Sequence, residues 1–377
     1  MKTRVWAVVG AGYGDEGKGL SVDALVRYHG IGTVVRFNGG AQAGHTVSGD
    51  FGRHVFHHFC SGAFAGAQSH LSRFFVTNPV LFWEERKDLM RRKANVGLSI
   101  DPRSPVTTPL EMMVNQAVEL KRGKDKHGSC GVGFGETLER EEKGPSFLFS
   151  DVLNGSVSKR LSELLDWHRC RTRTLGIEFD KLPFDLRIWD KFCQDWSDML
   201  SVSNLREDGT LGKEARLLFE GAQGLGLDQD LGHFPFVTRS FTGLPNIWEI
   251  LSEFPHVVSD IVYATRCYAT RHGAGPFENE DVDLSVDFVD LTNTPNTWQD
   301  SLRVAPLDFK SRSNFIQKDL NRVHCSKKPM IFVSCLDQMY DSSQHLEKAK
   351  EISQNLNGEL VGFSAGPSFE DVHFCER

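Results

Sequence analysis

The chain has 377 residues, of which 40% are hydrophobic and 25% are charged, and its formal net charge is −7. This composition is ordinary for a soluble globular protein, and an acidic chain without long lysine or arginine runs lacks the charge that nucleic-acid binding requires. Because no apolar run reaches the roughly 20 residues of a membrane helix and the eight cysteines lack CxxC spacing, we expect a cytoplasmic enzyme that binds neither membranes nor nucleic acid.

Five short apolar runs, each followed by a glycine, polar or acidic turn, predict buried strands at residues 5–9, 33–37, 217–219, 257–263 and 330–333. Helical patterns lie between them, at residues 19–28, 109–121, 161–166 and 314–321. This alternation predicts an α/β fold, in which a large, mostly parallel sheet has helices on both faces. We expect one domain over residues 1–377, with a helical excursion at residues 156–216.

The segment GAGYGDEGKG at residues 10–19 follows the first predicted strand and precedes the first predicted helix. Its glycines allow backbone N–H groups to approach an anion, and Lys18 adds a positive charge for phosphates. Gly19 stands where a P-loop has the Ser or Thr that binds Mg²⁺, so an ordinary P-loop NTPase is disfavoured. The alternative is a plain glycine turn of an α/β domain in which Asp15 caps the helix.

An acid pair, Asp15 and Glu16, lies inside this glycine segment. Carboxylates beside phosphate oxygens repel them unless a divalent cation or a cationic substrate group intervenes, so Asp15 is a candidate metal ligand and general base.

Four further glycine-rich turns follow in the chain, at residues 36–47, 128–135, 219–228 and 268–277. Ligands of open α/β sheets bind beyond the carboxyl ends of the strands, so these turns should converge there. Single His, Gln or Arg residues flanked by glycine indicate side chains that point into a cleft.

These segments together resemble the adenylosuccinate synthetase family. The matching blocks are GDEGKG at 14–19, GGAQAGHT at 39–46, GSCGVGFGE at 128–136, EGAQG at 220–224 with PFVT at 235–238, TRHGAGPFENE at 270–280, LD at 336–337 and GP at 366–367. The resemblance implies a purine nucleotide–aspartate ligase. Such an enzyme uses GTP to phosphorylate the 6-oxo group of a purine nucleoside monophosphate, and the amine of L-aspartate then displaces the phosphate.

The resemblance also implies roles for individual residues. Asp15 would take the proton from purine N1, His45 would act as the acid beside the transferred phosphoryl group, Lys18 would neutralise charge, and Gln223 would hold the 6-oxyanion. Mg²⁺ would be bound by Asp15 and the Gly44 carbonyl. Contacts to the donor nucleotide would come from Gly14, Gly17, Lys18, Gly19, Gly44, His45, Thr46, Asp337, Ser364 and Gly366. Contacts to the purine monophosphate would come from Asp15, Gln42, Ser129, Cys130, Arg140, Gln223, Leu227, Thr238 and His272. Aspartate would be bound by Thr297 and Arg303.

Asp337 matches the family carboxylate that accepts both N1–H and the 2-amino group of guanine, which favours GTP over ATP or dATP. The alternative is that Asp337 only caps the helix after it. The resemblance also implies a homodimer, in which Arg140, or Lys143, reaches the phosphate of the monophosphate bound to the second subunit.

Three positions depart from the family pattern within the monophosphate pocket. Gln42 replaces an asparagine, Cys130 replaces a threonine, and His272 replaces a hydrophobic residue; the aspartate loop keeps only one arginine. These changes favour the phage branch of the family, which condenses aspartate with dGMP to give N6-succino-2-amino-2′-deoxyadenylate, and which would act in the host cytoplasm.

Three alternatives remain at the level of sequence. One is an ordinary adenylosuccinate synthetase that uses IMP, and another is a catalytically silent paralogue that only binds nucleotide. The third is a dinucleotide-binding oxidoreductase, which would need an acid about 20 residues after the glycine loop to bind a ribose. Arg36 and Asn38 occupy that region instead.

Overall fold

The computed structural model describes residues 2–123, 128–154, 157–282, 284 and 302–375. The strands in this part of the chain are β1 (Thr3–Gly10), β2 (Thr33–Arg36), β3 (His45–Gly49), β4 (Gly52–Phe56), β5 (Gln68–Leu71), β6 (Leu98–Ile100), β7 (Asn204–Leu205), β8 (Arg216–Glu220), β9 (His256–Arg266), β10 (Ala269–Arg271), β11 (Arg303–Ala305), β12 (Met330–Ser334), β13 (Glu359–Ser364) and β14 (Val372–Phe374). Ten of them form one sheet in the order β14-β13-β12-β9-β1-β8-β2-β5-β6-β7.

All neighbouring strands of this sheet are parallel except β13 and β14, which are antiparallel. Their carboxyl ends therefore lie along one edge, and the turns that follow β1, β2, β8, β9, β12 and β13 meet there. Two small hairpins, β3–β4 and β10–β11, lie outside the large sheet.

Helices cover both faces of the sheet. They are α1 (Lys18–His29), α2 (Pro79–Arg91), α3 (Pro109–Arg122), α4 (Phe134–Lys143), α5 (Val157–Thr174), α6 (Leu186–Ser201), α7 (Pro245–Leu251), α8 (Phe309–Arg322) and α9 (His345–Asn355). Side chains of β1 alternate between two apolar cores, because successive strand residues point to opposite faces. Trp6 and Val8 pack in one core, and Val5, Ala7 and Val9 pack in the other.

The predicted fold class is confirmed, and the five predicted strands correspond to β1, β2, β8, β9 and β12. The excursion at residues 156–216 contains α5 and α6, but also β7, which pairs with β6 at the sheet edge and was not expected. Among the described residues, no helix is both long enough and apolar enough to span a membrane.

Candidate active site

The glycine loop between β1 and α1 is organised around Glu16. Its Oε1 atom accepts hydrogen bonds from the backbone N–H groups of Gly12 and Gly14 at 3.0 and 2.8 Å, and its Oε2 atom lies 2.5 Å from Lys18 Nζ. Both charged side chains are buried. Glu16 is therefore not a second phosphate-facing acid beside Asp15, as the sequence suggested, but the counterion of Lys18.

The start of α1 is open to an anion. The helix begins after Gly17, which has a left-handed conformation (φ 81°) and no side chain to cap the first N–H groups. Packing explains why residue 19 is glycine rather than the Ser or Thr of a P-loop. A Cβ atom at this position would lie 2.6 Å from the Thr46 carbonyl oxygen. Glycine thus allows β3 to approach α1 and brings Thr46 to the loop.

Asp15 has a left-handed backbone conformation (φ 60°), which costs a residue with a side chain on the order of 1 kcal/mol. Its carbonyl accepts a hydrogen bond from Arg266 Nε, and its Oδ2 atom lies 3.0 Å from His272 Nε2. Burial raises the pKa of the Asp15 carboxyl, but the hydrogen bond and charge of His272, with Arg266 and Lys18, hold that pKa below its usual range. Asp15 is therefore ionised at neutral pH.

His45, the first residue of β3, is held by a buried carboxylate. Its Nδ1 atom lies 2.5 Å from Glu220 Oε1, and Ser61 donates hydrogen bonds to Glu220 from both its backbone N–H and its hydroxyl. Burial raises the pKa of Glu220, but the Arg36 charge and the hydrogen bonds from His45 and Ser61 outweigh it and place that pKa below its usual range. Burial also lowers the pKa of His45, so the imidazole is neutral.

Gln223 lies in the turn after β8 and is also left-handed (φ 63°). This turn packs directly on the glycine loop, since Gly226 N donates a hydrogen bond to Gly12 O at 2.8 Å and a Cβ atom on Gly224 would lie 2.3 Å from Glu16 Oε1. The Gln223 Oε1 atom is buried and finds no hydrogen-bond partner among the described residues. It is thus available to a ligand.

The loop before α4 is fixed by the polar side of α3. Asn115 Nδ2 donates to Ser129 Oγ at 2.8 Å, Gly133 N donates to Asn115 Oδ1 at 3.2 Å, and Gln116 donates to the Gly131 carbonyl at 2.9 Å. Cys130, which follows Ser129, contacts the turn after β2. Its Sγ atom lies 3.7 Å from the Gln42 carbonyl oxygen.

A cavity of about 1030 Å³ joins these segments. Its walls contain most of the residues that the sequence assigns to the donor and monophosphate sites: Gly14, Asp15, Lys18, Gln42, Gly44, His45, Thr46, Ser129, Cys130, Gln223, Leu227, Thr238 and His272. The structure therefore brings together residues from five distant segments, at the carboxyl edge of the parallel strands.

Arg140 does not line this cavity. Its guanidinium is fully buried, with Nε 2.6 Å from Glu111 Oε1, a further ion pair to Glu141, and hydrogen bonds to the Val106 and Pro145 carbonyls. The predicted phosphate contact of Arg140 is therefore wrong, since this side chain joins α3 to α4.

The residues assigned to the donor base follow the next strands along the sheet rather than lining the cavity. Asp337 comes after β12, and the buried Ser364 ends β13, which pairs with β12. Burial and nearby Asp371 raise the pKa of Asp337, against the opposing charge of His345. A Cβ atom on Gly366 would lie 2.4 Å from Asp371 Cγ, so a second carboxylate packs at this end.

The aspartate site is only partly described. Thr297 lies outside the described residues. Arg303 lies on β11, paired with Arg271 of β10, and its guanidinium bonds to Glu280 and to the carbonyls of Gly273 and Gly275. Arg303 thus holds the turn after His272, and its contact with aspartate stays a prediction.

Sequence reasoning missed the roles of Glu220, Glu16 and Asn115. Glu220 and Glu16 lie inside the blocks EGAQG and GDEGKG that carry the family resemblance. Their presence in these blocks was therefore a usable signal. No local signal marks Asn115, because its contact with Ser129 depends on how α3 packs beside the loop.

The donor set near Asp15 suits Mg²⁺. The ionised Asp15 carboxylate and Gly44 both line the cavity, and Mg²⁺ prefers one or two carboxylates with phosphate and water oxygens. The described residues contain no group of three or more His, Cys, Asp or Glu that would bind an ion by themselves. A magnesium site here would therefore require the phosphates of a bound nucleotide.

A sequence profile of the adenylosuccinate synthetase family matches residues 7–300. The chain belongs to the adenylosuccinate synthetase family. It is 32% identical over 280 residues to the adenylosuccinate synthetase of Psychrobacter arcticus and 34% identical over 283 residues to that of Alkalilimnicola ehrlichii. Each match covers 72% of this chain and 64% of the relative, so the chain matches less than two thirds of those relatives.

Two solved structures share this family fold. The fully ligated adenylosuccinate synthetase of Plasmodium falciparum superposes with a TM-score of 0.75 at 19% identity, over 99% of this chain and 100% of the other. The succinoaminodeoxyadenylate synthetase of cyanophage S-2L, bound to dGMP and dATP, superposes with a TM-score of 0.65 at 15% identity, over 100% of this chain and 97% of the other. At these identities, both comparisons support the fold alone.

Proposed function

We propose that this protein is an NTP-dependent ligase that condenses L-aspartate with the 6-oxo carbon of a purine nucleoside monophosphate through a 6-phosphoryl intermediate. The observation that carries the proposal is the convergence of Asp15, Lys18, His45 and Gln223 on one cavity in a member of the adenylosuccinate synthetase family. A silent paralogue is disfavoured, because all four chemical groups are present and line the same cavity.

The reaction places negative charge on the purine 6-oxygen and on the phosphates, and different residues stabilise each. The ionised Asp15 accepts the proton from purine N1, which places negative charge on the 6-oxygen. Gln223 stabilises that oxygen through its side-chain amide N–H. The 6-oxygen then attacks the γ-phosphorus of the donor, and the bond to the β,γ-bridging oxygen breaks.

Lys18 and His45 act on the phosphates. Lys18 provides positive charge at the start of α1, and His45 presents Nε2 because Nδ1 is bonded to Glu220. In the neutral imidazole Nε2 carries no proton, so His45 acts as the acid here only once Nε2 has gained a proton. When bound at Asp15 and Gly44, Mg²⁺ would supply further charge neutralisation for the phosphate oxygens. In the second half of the reaction the amine of aspartate attacks carbon 6, and inorganic phosphate leaves with the 6-oxygen.

For the acceptor we propose dGMP, with N6-succino-2-amino-2′-deoxyadenylate as the product. Gln42, Cys130 and His272 are the three replaced positions, and all three line the cavity with Asp15: His272 bonds to Asp15, and Cys130 contacts the Gln42 backbone carbonyl. Both amide atoms of Gln42 are buried without a hydrogen-bond partner in the described part of the chain. The amide oxygen offers the acceptor that a 2-amino group needs. The cyanophage enzyme, which has this fold, was solved with dGMP.

For the donor we propose GTP, on the basis of Asp337. A carboxylate accepts from two adjacent N–H donors, which guanine presents and adenine does not. The dATP in the cyanophage structure makes dATP the competing donor. We further propose that the enzyme acts as a homodimer.

The test is an assay of purified protein with Mg²⁺, aspartate and either GTP or dATP. IMP, GMP, dGMP and XMP are offered separately, and succino-nucleotide is detected by mass. The proposal expects product with dGMP at the highest kcat/KM. If IMP is used about tenfold better, a difference of roughly 1.4 kcal/mol, the protein is an ordinary adenylosuccinate synthetase; if no acceptor gives product, the ligase assignment is wrong.

A further inference from the structure

The burial of Arg140 leaves open which cation binds the 5′-phosphate of the acceptor. The cavity wall contains four arginines, at positions 122, 171, 239 and 271. We propose that Arg239 binds this phosphate within the same chain. The inference rests on the proposed function, since it assumes a nucleoside monophosphate in the cavity.

The backbone of Arg239 is fixed on the cavity wall. Its neighbours are held on both sides, because Thr238 N donates to the Leu227 carbonyl at 2.8 Å and Gln229 N donates to the Ser240 carbonyl at 3.2 Å. The Arg239 side chain is nevertheless 39% exposed. The position is therefore rigid at Cα while the long side chain can change rotamer.

One of the two partners of Arg239 is exposed. Its guanidinium forms ion pairs with Glu142 of α4, which is 60% exposed, and with Glu139, which is 9% exposed and also pairs with Arg171 and Lys143. The exposed pair contributes about 0–1 kcal/mol, so a phosphate dianion competes well with it, and Glu139 keeps two cationic partners when Arg239 leaves.

A candidate phosphate position lies on the same cavity wall as this side chain. α4 begins at Phe134, directly after the loop that contains Ser129 and several glycines, and the N-terminus of a helix after a glycine loop favours anions. Ser129, Phe134 and Arg239 all line the cavity. The proposal requires a rotamer change that moves the guanidinium from Glu139 towards this loop.

The other cavity arginines also have partners within the chain. Arg171 makes a two-point contact with Glu136 at 2.8 and 3.0 Å and is 19% exposed. Arg122 is paired with the buried Glu119. Arg271 is 1% exposed, bonds to backbone carbonyls and stacks over the Tyr13 ring at 4.4 Å, although its Nη1 atom has no hydrogen-bond partner among the described residues.

Direct binding tests the proposal without turnover. Arg239→Gln and the matched control Arg171→Gln are compared with the unaltered protein by isothermal titration calorimetry against dGMP, deoxyguanosine, IMP and inosine. Arg239→Gln should weaken nucleotide binding about 10- to 100-fold and leave nucleoside binding unchanged. Arg171→Gln should leave the ratio of the nucleotide affinity to the nucleoside affinity unchanged.

The outcomes separate this inference from the proposed function. Nucleotide binding that survives in Arg239→Gln, or is lost in Arg171→Gln instead, overturns the role of Arg239. Failure of the unaltered protein to bind any nucleotide overturns the proposed function. Mixing Arg239→Gln with Asp15→Asn subunits tests whether the arginine acts within one chain: recovered activity would show supply by a second chain, and we expect none.

Discussion

His45 and Glu220 form a buried hydrogen-bonded pair, with Nδ1 of the imidazole 2.5 Å from the carboxylate Oε1. An ionised carboxylate only accepts hydrogen bonds, so the proton of the neutral imidazole lies on Nδ1. The Nε2 atom has no partner among the described residues and remains for a ligand. The pair thus decides which nitrogen of His45 can face a ligand in the cavity.

Changing Glu220 to Gln should therefore reduce kcat by about 10- to 1,000-fold. The amide keeps the size and one acceptor but removes the charge that fixes the tautomer and orientation of His45. Steady-state kinetics with thermal unfolding as a control measure this. An unchanged kcat would show that Glu220 acts only in packing.

Asp15→Asn should reduce kcat by about 10²- to 10⁴-fold with little change in the free energy of unfolding. Asparagine tolerates the left-handed backbone conformation that Asp15 adopts (φ 60°), so the variant removes the base without adding backbone strain. Kinetics and chemical denaturation are compared. Near-normal turnover would remove Asp15 from the mechanism.

Asp337→Asn should weaken selectivity for GTP over ATP by about 1–3 kcal/mol, because an amide offers only one of the two acceptors that guanine uses. Competition between the two donors, followed by their diphosphate products, measures the ratio. Equal use of GTP and dATP by the unaltered protein would contradict the role of Asp337.

The double substitution Gln42→Asn with Cys130→Thr should shift the kcat/KM ratio from dGMP towards IMP. A site built for a 2-amino group loses roughly 1–3 kcal/mol when that group is absent, and the double variant removes this preference. Cys170→Thr, at an exposed position, is the control. A ratio that is the same in all three proteins would mean that neither residue sets acceptor choice.

Asp319→Asn should change how stability depends on pH. Burial raises the pKa of Asp319 to about 7, against hydrogen bonds from Leu244 N and Tyr263 Oη. The Asp319 carboxyl ionises near pH 4 in the unfolded chain and near pH 7 in the folded protein. Between these two pH values ionisation favours the unfolded state, so the free energy of unfolding falls as pH rises.

The Asp319→Asn variant lacks this loss. Its free energy of unfolding relative to the unaltered protein should therefore rise from pH 4 to pH 7 by up to about 4 kcal/mol. Denaturation by urea at a series of pH values measures the difference, in which other titrating groups cancel. A difference that does not vary with pH would show that Asp319 titrates normally.

Local patterns predicted much of the fold. The strand, glycine loop and helix over residues 3–29 follow from residue spacing alone, and the alternation of apolar runs with helical segments was enough for a parallel sheet. It also predicted that distant turns meet, because parallel strands end at one edge. Strands β5, β6 and β13 were not predicted, since short strands have weak periodicity without their neighbours.

The sequence by itself determined the family, the chemical groups and the edge of the sheet where they meet, because these depend on residue identity and order along the chain. Only the tertiary structure decided which partner each charge has. Lys18 is paired with Glu16, Arg140 is buried against Glu111, and Arg239 is partly exposed beside the cavity in ion pairs with two glutamates of α4. The availability of a charge depends on burial and on partners, and these are brought close only by the packing of separate elements.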